Sequence, residues 1–130
     1  HNLLKQYRSG LVGGVVHCFT DTEDALMDYL GLDMHIGITG WICDERRGEL
    51  LQSLVAKIPD NRLLIETDAP YLFPRTLLPN RNGHRNEPKY IIEIVSAISH
   101  YRHQDPVKIA RQTTTNAVRL FGLDNKLTPN

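Results

Sequence analysis

The chain has 130 residues, 41% hydrophobic and 23% charged, which suits a single soluble domain with a real core. Fifteen basic residues balance fifteen acidic ones, which excludes whole-molecule attraction to a polyanion and leaves only local patches. Two cysteines, Cys18 and Cys43, do not make a disulfide scaffold, and no apolar run approaches the ~20 residues of a membrane span, so reduced thiols in a cytoplasmic protein are the expectation.

In chain order, Asn2 to Ser9 reads as the tail of a helix stopped at Gly10. Leu11 to Phe19 is apolar and β-branched around Gly13 and Gly14, and predicts a buried strand. Thr20 with Glu23 forms a capping-box pattern that opens a helix through Leu30, ended by Gly31. Met34 to Thr39 predicts a second strand. A helix follows over Arg47 to Ile58, with Leu50, Leu51, Leu54 and Val55 on one face. Pro59-Asp60-Asn61 is a turn, and Arg62 to Thr67 a third strand. A polar loop runs from Pro74 to Asn86. Two helices close the chain, Glu87 to Tyr101 and one opened by Asp105-Pro106 that ends near Phe121 with Gly122 as its stop.

Strands that alternate with helical crossovers predict an α/β fold with a parallel sheet. Ligand sites in such sheets gather at the carboxyl ends of the strands. The first strand delivers His17 there, the second Trp41, and the third Glu66 and Asp68. Histidine nitrogen and carboxylate oxygen are good ligands for divalent metals. A lone histidine at a strand end is more often a hydrogen-bonded core residue. Two carboxylates at the mouth of the apolar stretch Leu63 to Ile65 favour a site, because burying an ionised carboxylate is costly unless it is paired, hydrogen-bonded or bound to metal. Period-two alternation puts Glu66 and Asp68 on one face, with Glu66 either a ligand or the partner that supports one.

The segments VVHCFT (Val15 to Thr20), IGITGW (Ile36 to Trp41), IETDAPY (Ile65 to Tyr71), RNEP (Arg85 to Pro88) and TTNAVRLFG (Thr114 to Gly122) together resemble the TatD-type metal-dependent deoxyribonucleases. The resemblance spans essentially the whole chain, in order. It implies a (β/α)₈ barrel with a divalent metal at its carboxyl-terminal rim, Mg²⁺ first, with Mn²⁺ or Zn²⁺ as alternatives. It implies that His17 and Asp68 are metal ligands, that Asp68 also acts on the attacking water, and that Glu66 is a supporting catalytic acid. The family's other ligands, an early His-x-His pair, a Glu and a further His, have no match here. Asp21 departs from the usual glycine after HCFT, which a solvated capping acid explains.

A complete barrel needs ~200 residues or more. The three strands therefore read as the C-terminal portion of one barrel domain, inactive by itself. Cut sheet edges make self-association an expectation. The DNA substrate would be held through its backbone phosphates by the basic loop, where Arg75, Arg81, His84, Arg85 and Lys89 outnumber the single acid Glu87, with Arg81 and Arg85 above all, and with Trp41 and Tyr71 placed to stack on bases. The plainer readings are a solvated loop for the arginines and core packing for the two aromatics. Two further functions stay open. One is a related barrel hydrolase acting on another phosphoester or an amide, against which the run GITGWICDERRG argues. The other is a non-catalytic remnant.

Overall fold

The computed structural model describes residues 1–77 and 85–123. Three short strands, β1 (Val15–Val16), β2 (His35–Ile38) and β3 (Leu63–Ile65), form one parallel sheet in the order β1-β2-β3. The helices are α1 (Asn2–Tyr7), α2 (Glu23–Gly31), α3 (Glu49–Leu54), α4 (Ile91–Arg102) and α5 (Pro106–Phe121). The α/β alternation expected from the sequence is thus present, with β2 central and β3 on an edge.

One face of the sheet carries the core. Ile36, Ile38 and Leu63 are fully buried there in one cluster with Leu26, Leu54, Val55, Ile58, Ile94, Ile98 and Ile109. These side chains come from α2, α3 with the turn after it, α4 and α5. Each fully buried aliphatic side chain contributes roughly 1.5–3 kcal/mol, so this face holds the fold together. Two polar groups lock its base. Asn116 Nδ2 donates to the carbonyls of Asp60 at 2.7 Å and Leu63 at 2.8 Å. Arg102, with only 5% of its side chain exposed, donates to the carbonyls of Val55 and Ile58 and pairs with Asp60.

Several sequence boundaries need correction. The first strand shrinks from Leu11–Phe19 to two residues. It pairs on one side only, and the glycines before it leave the ladder. Hydrogen bonds from His35 N to Gly14 O at 2.9 Å and from Phe19 N to Gly37 O at 3.0 Å still extend the contact. The cap of α2 is Thr22, not Thr20: its side chain accepts from Ala25 N at 3.3 Å. The helix expected from Arg47 starts at Glu49, because Gly48 closes a tight turn, and a Cβ at Gly48 would stand 2.3 Å from Trp41 O. Leu50, expected on its apolar face, is 49% exposed. The helix expected from Glu87 opens instead as a 3₁₀ turn, Pro88–Tyr90, before α4 begins. By contrast α5 follows expectation: Asp105 caps it by accepting from Val107 N at 2.8 Å, and Gly122 ends it at φ +62°.

Candidate functional site

The carboxyl ends of β1 and β3 bring three side chains together. His17 Nδ1 lies 2.7 Å from Glu66 Oε2, and His17 Nε2 lies 3.1 Å from Asp68 Oδ1. Glu66 Oε2 also accepts the backbone N–H of Cys18 at 3.0 Å. The His17 side chain is 61% exposed, so the core-histidine alternative does not describe it. Glu66 is mostly buried, which suits a carboxylate that orients an imidazole.

Local sequence makes this arrangement fit. Gly37 lies directly under Glu66: a Cβ at that position would stand 2.2 Å from Oε1. Glycine in the central strand therefore creates the space in which the carboxylate sits. Of the five non-glycine residues with left-handed backbone among the described residues, three lie here, Cys18 (φ +50°), Asp68 (φ +55°) and Leu72 (φ +53°), a conformation uncommon for cysteine and leucine. Cys18 Sγ and Thr39 Oγ1 are 3.4 Å apart. Burial pushes the Cys18 thiol up, with Asp68 and Glu66 adding to the effect.

The loop after β3 is held by Asn86, a residue the sequence reading did not single out. Asn86 is 2% exposed. Its Nδ2 donates to Thr67 O at 2.6 Å and Tyr71 O at 2.7 Å, its Oδ1 accepts from Glu87 N at 2.9 Å, and its backbone N–H donates to Pro70 O at 3.0 Å. Asp68 is thus presented by a clamped turn. The sequence signals were its place within RNEP and directly before Glu87-Pro88, where an amide can cap the next turn.

The other expected site residues are less gathered. Trp41 is half-buried and packed on the core, with the Arg47 guanidinium 6.0 Å from its ring centroid. Tyr71 is 75% exposed, so it does not pack in the core. Arg85 is exposed, and Arg81 lies outside the described residues. Two cations that the sequence reading gave to substrate are engaged with acids. Arg75 pairs with Glu45, Nε to Oε2 at 3.0 Å and NH2 to Oε1 at 2.8 Å, and Lys89 pairs with Glu87 at 2.7 Å.

One imidazole and two carboxylates form a donor set suited to a divalent cation. At 3.1 Å, His17 Nε2 and Asp68 Oδ1 are within hydrogen-bonding and ion-pair distance of each other. Among the described residues no group of three or more His, Cys, Asp or Glu side chains is arranged to hold a metal ion. His17 and Asp68 are donor types that a divalent cation takes, but they do not make a metal site by themselves. No helix among the described residues is long and apolar enough to cross a membrane.

A family model described as TatD related DNase matches residues 1–122. The 3′-5′ ssDNA/RNA exonuclease TatD of Citrobacter rodentium is 48% identical over 124 residues, covering 95% of this chain and 47% of that protein. The protein of the same name from a Rahnella strain is 50% identical over 121 residues, covering 93% of this chain and 46% of its own. The chain therefore spans about half the length of the curated relatives it matches. Among solved structures, a TatD-family hydrolase from Entamoeba histolytica superposes with TM-score 0.78 at 26% identity, covering 92% of this chain and 45% of that one. The TatD homologue YjjV of Escherichia coli gives TM-score 0.80 at 27% identity, covering 93% and 44%.

Proposed function

The chain belongs to the TatD-related DNase family, and from that premise we propose that it is the C-terminal portion of one barrel domain of a metal-dependent nuclease that hydrolyses phosphodiester bonds in single-stranded DNA or RNA. The observation that carries this reading is the His17–Glu66–Asp68 cluster at the carboxyl rim of the sheet. The activity in the relatives' names supports the choice of substrate. His17 and Asp68 would hold a divalent cation, Mg²⁺ first. Bound there, such an ion supplies charge against the phosphoryl oxygens and acidifies water.

The chain's own residues have separate tasks in this reading. Glu66 accepts from His17 Nδ1, which fixes the ring and leaves Nε2, beside Asp68, as the nitrogen that would hold an ion. Asp68 orients water and takes up its proton. Arg85 and Arg81 contact backbone phosphates, and Trp41 and Tyr71 stack on bases. With only part of a coordination sphere, this chain alone binds metal weakly and turns over little substrate. Its free strand edges associate with another copy or with complementary chain.

The test is Asp68→Asn in a full-length protein carrying these residues. Nucleotide release from single-stranded DNA should fall to a small residue while the circular dichroism spectrum is kept, because the amide preserves shape and removes charge. Near-normal turnover in saturating Mg²⁺ or Mn²⁺ overturns the assignment.

A further inference from the structure

Beside the rim lies a second feature, a groove of about 260 Å³ between the loops that follow β2 and β3, which gives the stacking role of Trp41 a place. Trp41 forms one wall, Leu72 and Phe73 the other, and Arg47 and Arg75 line it too. We infer that this groove is a binding subsite for one unpaired nucleotide of a single strand, with its base against Trp41 and its phosphate on Arg47. The inference rests on the nuclease reading for the class of ligand and deepens it by naming a site.

The groove is built rather than incidental. Gly40 and Leu72 approach backbone to backbone, so that a Cβ on Gly40 would stand 2.2 Å from Leu72 O. Arg75 joins the two loops through its paired bonds to Glu45 and lies 3.6 Å from Asp44. Phe73 is held edge-on against Tyr90 with centroids 5.5 Å apart. The walls are therefore fixed before any ligand arrives, which lowers the cost of binding.

Charge points to the occupant. Around the groove, Arg46, Arg47 and Arg75 face Asp44 and Glu45. Both acids are taken up by Arg46 and Arg75. Arg47 is the surplus: among the described residues it has no carboxylate partner, and its guanidinium lies 6.0 Å from the Trp41 ring centroid, at the outer limit of a cation–π contact. A held aromatic face beside a guanidinium that no carboxylate neutralises is a pairing that can take a base together with its phosphate. The volume falls below the ~300–1,000 Å³ of sites that enclose larger ligands, which matches one base. A paired base hides its faces in the stack, so the groove selects single strands.

Trp41 is the only tryptophan of the chain, so its fluorescence reports on this groove alone. A short oligothymidylate titrated into the chain in EDTA should quench that fluorescence saturably, and its abasic analogue and a duplex should not. Arg47→Ala should weaken the effect severalfold and flatten its dependence on salt. Trp41→Phe, followed by anisotropy of a labelled oligothymidylate, should keep most of the binding. Equal quenching by the abasic strand, binding without any change in Trp41, an unaltered Arg47→Ala titration, or no binding at all would each overturn the inference. Because EDTA removes metal, those failures leave metal binding by His17 and Asp68 as a separate measurement. Failure of that measurement alone would overturn the nuclease reading and leave the groove.

Discussion

Gly37 and Glu66 occupy one space: the hydrogen of the glycine stands where a Cβ would meet the Glu66 carboxylate at 2.2 Å. Gly37→Ala should therefore displace Glu66 from His17 without unfolding the chain, because the atoms in the way end a flexible side chain. We expect a stability change below about 1 kcal/mol, consistent with the cost of glycine within a regular element. Metal affinity in a full-length protein should fall by ~10–100-fold, as for lost supporting partners. Calorimetry beside a urea melt separates the two effects. Unchanged affinity would leave Glu66 with no orienting role.

Asn86→Ala should be costly to the fold. It strips donors from the part-buried carbonyls of Thr67 and Tyr71 and an acceptor from Glu87 N, all held by a side chain that is itself buried. Each buried group left without a partner costs roughly 1–3 kcal/mol. Urea unfolding should show a loss of about 1–3 kcal/mol. A loss within experimental error would mean that the turn carrying Asp68 holds its shape unaided.

The tie between the two rim loops should hold well into the acid range and be lost only near pH 2. The hydrogen bond from Arg75 holds the Glu45 carboxyl down at about 2, against an ordinary 4.5. A depressed folded-state value means that the contribution is fully present above about 4.5. It is then lost as pH falls through about 2. A carboxyl-carbon NMR titration should place the Glu45 midpoint near 2. A midpoint at the ordinary value would show Arg75 free to leave.

The two thiols should stay inert in the native chain at mildly alkaline pH. Burial pushes Cys43 up to about 12, with Glu93 adding to it, and burial also raises Cys18. The thiolate is the reactive form. A thiol-specific reagent should therefore label both at rates that rise steeply with urea. Fast native labelling of Cys43 would contradict its burial.

How much of this could be read beforehand follows from which contacts are local. The parallel sheet was legible because strand and helix alternate along the chain. The ends of α5 were legible because Asp105-Pro106 and Gly122 act on their own neighbours. His17, Glu66 and Asp68 were legible as a group because each ends an apolar stretch, and parallel strands deliver such ends to one rim. What stayed hidden depends on partners distant in sequence. The bond from Arg75 to Glu45 spans thirty residues and turns an expected phosphate contact into a structural tie. The clamp of Asn86 on Thr67 spans nineteen. Leu50 looked like core because its spacing fits a helix face, yet α3 turns that position outward.

The direct test of the rim as a metal site is a Mn²⁺ titration of this chain followed by NMR. Paramagnetic broadening should begin at the His17 ring and the Asp68 backbone. It should need a large excess of ion, because only part of the ligand set is present, and it should vanish in His17→Ala with Asp68→Asn. Tight one-to-one binding by a monomer would contradict the partial site. Broadening centred elsewhere, or unchanged in the double variant, would contradict the assignment of His17 and Asp68.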